Sequence, residues 1–75
     1  MPQYFFNVRG LGRAIVDDVG QGLPDDDAAW QQAAEMAGEL FREIGEFRLG
    51  EEWELEVADE KRKPLFSIQI RAVKK

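Results

Sequence analysis

The side chains that carry most enzyme chemistry are nearly all missing from this 75-residue chain. It has no histidine and no cysteine, no threonine, and a single serine, Ser67, in the middle of a strand-like run with no base beside it. Nucleophilic catalysis of the serine–histidine type has no proton carrier here, and thiolate or imidazole metal ligation is excluded with it. Carboxylates remain. Glu52, Glu54 and Glu56 lie along one face of a strand, roughly 7 Å apart, and no glycine-rich phosphate loop adjoins them. Asp25-Asp26-Asp27 lacks the alternating oxygen ligands and the bidentate glutamate of a calcium loop, so it reads as the cap of a helix. Gly10-Leu11-Gly12 is too short for a phosphate fingerprint and opens no helix. Paired carboxylates do acid–base work when a deep apolar cleft shifts one pKa, and a chain this short has little room for one. The expectation is a protein that is not an enzyme, with no catalytic residue, cofactor or metal.

The elements that position these groups follow from periodicity and turn signals. Gln3–Arg9 alternates as an aromatic-rich strand, and Gly10-Leu11-Gly12 supplies a hairpin turn. Arg13–Asp17 returns, with either Ile15 or the pair Ala14 and Val16 facing inward. Asp17-Asp18-Val19-Gly20 has the aspartate-first, glycine-fourth pattern of a turn. Leu23-Pro24-Asp25 opens a helix from Asp26 to about Ile44. Trp30, Ala33, Ala37, Leu40, Phe41 and Ile44 share one side of it, and Gln31, Gln32, Glu35, Glu39, Arg42 and Glu43 share the other. Gly38 inside that helix suggests close approach by a neighbour, Gly45 is a stop, and Phe47 and Leu49 are expected to tuck under the helix end.

Glu52–Ala58 and Leu65–Ala72 form a second hairpin around the charged loop 59–64. One register opposes Val57 to Phe66, Leu55 to Ile68 and Trp53 to Ile70. The same register opposes Glu52 to Arg71, Glu54 to Gln69 and Glu56 to Ser67, so both faces are satisfied at once. It also sets Ala58 opposite Leu65. The predicted fold is a single domain over residues 1–75 of α+β class, ββαββ, a four-stranded antiparallel sheet with one helix on one face. Pairing the first and last strands in the middle protects the two least charged ones.

The net charge is −5 and it is segregated. Residues 17–27 and 51–60 are acidic without a base, and residues 61–75 are basic without an acid. The basic tail is expected to fold back on the acidic strand before it, and the acidic balance argues against nucleic acid as a partner. No stretch is apolar enough for a membrane helix. The start carries no leader pattern, and the absence of cysteine fits the cytoplasm.

One helix leaves a sheet face open. That face is polar apart from Phe5 and Leu65, with Ala58 and Ile15 as further candidates, and these four residues are the candidate partner surface. A core this small favours added burial, so the expected function is a non-catalytic protein–protein interaction domain that self-associates, working through the open sheet face or a sheet edge. Its partner is thus another protein or a second copy, not nucleic acid or a membrane. The alternative is an acidic, antitoxin-like or inhibitor-like partner of a basic protein or nucleic-acid enzyme, in contact through Asp17–Asp27 and Glu51–Glu60.

Several motifs taken in order resemble a known family. They are Pro2-x-Tyr4-Phe5-Phe6-x-Val8, Asp17-x-x-Gly20-x-x-Leu23-Pro24-Asp25 before an alanine-rich helix, Trp53-x-Leu55-Glu56-Val57-x-Asp59-Glu60, and Pro64-Leu65. The chain is similar along nearly its whole length to short proteobacterial proteins grouped as a domain of unknown function, DUF6894. The resemblance implies this element order and a bacterial cytoplasmic setting, and it carries over no activity and no site residue. One departure stands out: the last hairpin loop has Lys61-Arg62-Lys63 where a glycine is expected.

Overall fold

The computed structural model describes residues 1–10, 12–43 and 49–75. Strands β1 (Gln3–Gly10), β2 (Arg13–Ile15) and β3 (Gln21–Gly22) precede helix α1 (Asp26–Glu43), and β4 (Glu52–Ala58) and β5 (Pro64–Arg71) follow it. The strands form one antiparallel sheet in the order β2-β1-β4-β5, with β3 also paired to β1. Among the described residues the architecture is α+β with one helix, as read from the sequence, but the sheet has five strands rather than four.

The extra strand arises because the return strand is broken. β2 covers the end of β1, where Val8 faces Ile15, and β3 covers its start, where Gln3 faces Gly22. Between them Asp17 replaces backbone pairing with side-chain pairing. The Phe6 N–H donates to Asp17 Oδ2 (3.1 Å), and the Asp17 N–H donates to Asn7 Oδ1 (2.9 Å). Asp17 Oδ1 also receives the Val19 and Gly20 N–H groups at 3.0 and 2.9 Å, which makes the expected turn with Gly20 at φ 83°.

The strand order differs from expectation. β1 and the glutamate-rich β4 are central, and β5 is an edge. Charge along a strand does not force it outward when that charge lies on the open face and meets partners there. Arg9 Nη2 lies 2.6 Å from Glu54 Oε1, the Gln69 amide donates to Glu54 Oε2 at 2.9 Å, and Arg71 lies 3.8 Å from Glu52.

The β4–β5 hairpin has the predicted register at all six opposed pairs from Glu52–Arg71 to Val57–Phe66. It departs at the next step, where a bulge brings Ala58 opposite Pro64 instead of Leu65. Proline lacks an N–H, so a ladder entered at Pro64 shifts there at little cost.

The core is Tyr4, Phe6, Trp53, Leu55 and Val57 of the sheet against Ala29, Ala33 and Ala37 of α1. Alanines four residues apart make a flat seam that lets the helix lie close over large sheet residues. This rotates the buried side from the predicted stripe: Trp30 and Phe41 move to a flank and stay about half exposed (50% and 49%). The helix entry is as read, with the Ala28 N–H donating to Asp25 Oδ1 at 2.9 Å. Gly38 has no neighbour within 4 Å of where a Cβ would stand, so close approach does not explain it. Leu49 is exposed, not tucked away. Ile44, Gly45 and Phe47 lie outside the described residues, as does Leu11 of the first turn. Gly10 is required by contact: at φ 136°, a Cβ there would stand 2.5 Å from that of Trp53, its pairing partner.

Candidate interaction surface

The open face of the sheet is more closed than its composition suggests. Phe5 projects there opposite Ala58, and the guanidinium of Arg62 lies over its ring at 3.6 Å from the centroid. Arg62 stands where a glycine is expected in the loop between β4 and β5, and it adopts the glycine-like φ of 67°. Asp59 holds that loop: Oδ1 receives the Lys61 and Lys63 N–H groups, each at 2.9 Å. From there Arg62 Nη1 donates to the Asp17 carbonyl at 2.7 Å. One side chain thus ties the hairpin loop to the broken edge and roofs Phe5, while Gly20 presses on the ring from the side.

The four expected surface residues do not form one patch. Phe5 is half-buried beneath Arg62, and Ala58 is 2% exposed, enclosed between its neighbours on β1 and β5. Ile15 pairs with Val8, and residues opposed in a ladder share a face, so it lies on the helix side of the sheet. It remains 59% exposed there. Leu65, displaced by the bulge, lines a shallow cleft with Tyr4 and Asp26 at the helix start. Pairing parity decides the place of Ile15 and the bulge that of Leu65, and neither shows in the hydrophobic pattern.

Arg9 and Glu54 of this face, and Asp17 at its edge, are engaged in structure. Arg9 and Gln69 hydrogen-bond Glu54 and hold its carboxyl below the usual range against the opposing effect of burial, and the Arg9 guanidinium rises in turn. For Asp17, burial alone would raise the carboxyl. The N–H groups of Gly20, Phe6 and Val19, with the Arg62 charge, outweigh it and bring the net shift below the usual value. On the helix side the Tyr4 hydroxyl donates to Asp26 Oδ1 at 2.8 Å, and that bond, with burial and nearby carboxylates, pushes the phenol up to about 12. A phenol held that high is a structural donor, not a base. Among the described residues no three His, Cys, Asp or Glu side chains are grouped to hold a metal ion, and no helix is long and apolar enough to cross a membrane.

What the fold leaves open is β5. The Ala72 N–H donates to the Glu51 carbonyl and the Gly50 N–H to the Ala72 carbonyl (3.1 and 2.8 Å). Because antiparallel ladders alternate, the N–H and C=O groups of Ser67, Gln69 and Arg71 point outward, with no strand beyond them among the described residues. Above this edge Trp30 stands edge-on to Phe66, with ring centres 5.5 Å apart. The basic tail folds back less than expected, since among the described residues Arg71 alone of the tail reaches a β4 carboxylate. Among the described residues Lys61, Lys63, Lys74 and Lys75 enter no ion pair. Sequence reasoning offered a sheet edge as a contact but put β5 in the middle of the sheet, and it missed the Arg62–Asp17 tie. The one available signal was the arginine in a loop that asks for glycine.

No curated protein and no solved structure matches the chain. A family model does match residues 3–71, nearly the full length, so the chain belongs to the family described as a domain of unknown function, DUF6894.

Proposed function

We propose that this chain is a non-catalytic protein-interaction domain that receives its partner as an added strand on β5. The observation that carries this reading is the contrast between the two edges of the sheet. One edge is cut into strands of three and two residues and sealed by Asp17. The other is eight residues long, alternates Phe66, Ile68 and Ile70 with polar residues, and has no strand paired to its outer side among the described residues. Proteins ordinarily blunt exposed edges to avoid unwanted pairing, and strand addition is a common mode of partner recognition. A cysteine-free chain suits action in the cytoplasm. The alternative of an acidic inhibitor-like surface has less support, because Asp17, Asp25, Asp26, Glu54 and Asp59 are all engaged in internal hydrogen bonds.

Ser67→Pro tests the reading. It removes an outward N–H and leaves the β4–β5 ladder its donors. With the fold verified by circular dichroism, proteins captured from a native lysate by the parent chain should be lost with the variant. An unchanged set of captured proteins would exclude the β5 edge as the site of contact.

A further inference from the structure

The chemistry along β5 also identifies the kind of strand that fits it, an inference that rests on the edge-docking reading above. We infer that the incoming strand is an acidic segment of another protein, apolar at alternate positions, and not a second copy of this chain.

Charge carries the argument. The β5 edge is bounded at one end by Lys61 and Lys63 and at the other by Arg71, Lys74 and Lys75. The four lysines enter no ion pair among the described residues, although the chain as a whole is at −5. Basic charge in an acidic protein is thus concentrated along the longest open edge among the described residues. A strand laid there with acidic residues at its ends meets cations at both. Its alternate apolar side chains fall on the helix side beside Phe66, Ile68 and Ile70, below the half-exposed Trp30. Each of the three β5 residues is only partly buried in the free chain, so an added strand completes a cover that the helix leaves unfinished.

A second copy fits poorly for the same reason. A two-fold pair of antiparallel β5 strands must match faces, and the registers that do so at nearly full overlap of the strand are centred on Ile68 or on Ser67. The first brings Lys61 against Lys75 and Arg62 against Lys74. The second sets Lys63 directly opposite Arg71. Like charges directly opposed destabilise a strand pair. Nucleic acid fits poorly too, because Glu52, Glu54 and Glu56 line the open face beside this edge.

The experiment is a selection of displayed random peptides on the intact chain, run in parallel on Ser67→Pro and on the fourfold variant Lys61→Glu, Lys63→Glu, Lys74→Glu, Lys75→Glu. The fourfold changes are all at exposed positions, and circular dichroism verifies the fold of both variants before selection. The expected result is enrichment of peptides rich in Asp and Glu with alternating apolar residues. These should not enrich on Ser67→Pro, should bind the fourfold variant roughly tenfold or more weakly, and should weaken with salt. Neutral or basic peptides that still depend on Ser67 would overturn the acidic partner and spare the edge reading. Peptides selected equally on Ser67→Pro would overturn both, as would no enrichment at all. A doubled mass by light scattering that Ser67→Pro abolishes would make the occupant a second copy. Binding of a single-stranded RNA oligonucleotide that survives Ser67→Pro and vanishes in the fourfold variant would assign the basic strip to nucleic acid.

Discussion

The β4–β5 hairpin and the broken edge made by β2, Asp17 and β3 are built on opposite principles. In the hairpin, backbone ladders do the joining and side chains confirm the register on both faces, with Trp53, Leu55 and Val57 fully enclosed. At the broken edge the ladder fails over the middle of β1. One carboxylate takes over and accepts from three backbone N–H groups, those of Phe6, Val19 and Gly20. Periodic pairing tolerates many single changes because each contact is one of a series. A hub of hydrogen bonds depends on one residue. The two regions should therefore respond very differently to mutation, and the differences can be ranked.

The largest effect is expected at the seam between them. Gly10 ends β1 against Trp53, where a Cβ would meet backbone and Cβ atoms at 2.5–2.6 Å and where φ is 136°. Gly10→Ala combines overpacking with backbone strain and should cost about 3 kcal/mol or more. In a domain this small, thermal unfolding should fall by at least 10 °C or so. A shift of only a few degrees would show that β1 and β4 yield more readily than their packing implies.

Next comes Asp17. Asp17→Ala leaves the buried Phe6 N–H without its acceptor and removes the turn's, at an expected cost of about 2 kcal/mol. Amide exchange should rise at Phe6, Val19 and Gly20 while the β4–β5 amides keep their protection; equal loss in both regions would show a single cooperative unit. The same carboxylate gives the edge a pH dependence. Its folded pKa lies below the ordinary value, so its stabilisation is fully present above that ordinary value, 3.8, and is lost as pH falls through the folded one. Urea titrations of the parent from pH 5 downward should therefore fall more steeply than those of Asp17→Ala, which lacks this contribution. Parallel curves would remove Asp17 from the acid response.

These contrasts explain what was legible in the sequence. The hairpin could be read down to its register because two faces had to agree, and only one alignment of Trp53, Leu55 and Val57 with Ile70, Ile68 and Phe66 satisfied both. The aspartate-to-glycine turn and the Asp25 cap were local and equally plain. The break in the edge was not, since the bond between Phe6 and Asp17 spans 11 residues and leaves no periodic trace. Strand order was hidden for a related reason: the glutamates of β4 suggest an edge until Arg9 of β1 is seen to meet Glu54. Because the site depends on which strand is left uncovered, an error in order carries straight into an error in surface. Ala58 shows it: on a central β4 it is enclosed between β1 and β5, while Ile15 was left open by a register that only its pairing with Val8 decides.

Arg62 joins the two regions and supplies a finer test. Its guanidinium covers Phe5 and reaches the Asp17 carbonyl, while its backbone holds φ at 67°. Arg62→Ala loses the contacts and keeps the backbone cost, for a loss of about 1–2 kcal/mol. Arg62→Gly loses the same contacts but relieves the left-handed strain. It should therefore be more stable than the alanine variant by about 1 kcal/mol. Denaturant midpoints for the three proteins decide it, and equal values for glycine and alanine would mean that the loop carries no strain.

The smallest effect has the opposite sign and asks whether the two regions unfold together. Gly38 lies inside α1 with open space where a Cβ would stand, so Gly38→Ala gains helix propensity without a clash. It should stabilise the protein by about 1 kcal/mol. The helix packs on β4 and β5, and the broken edge lies on the far side of β1. If the domain opens only as a whole, amide exchange in the hairpin and at Phe6 should slow by the same factor, about fivefold for that energy. If the Asp17 hub opens by itself, exchange in the hairpin should slow and that at Phe6 should not. The second outcome is expected, because one carboxylate holds the edge and the added helix stability does not pass through it.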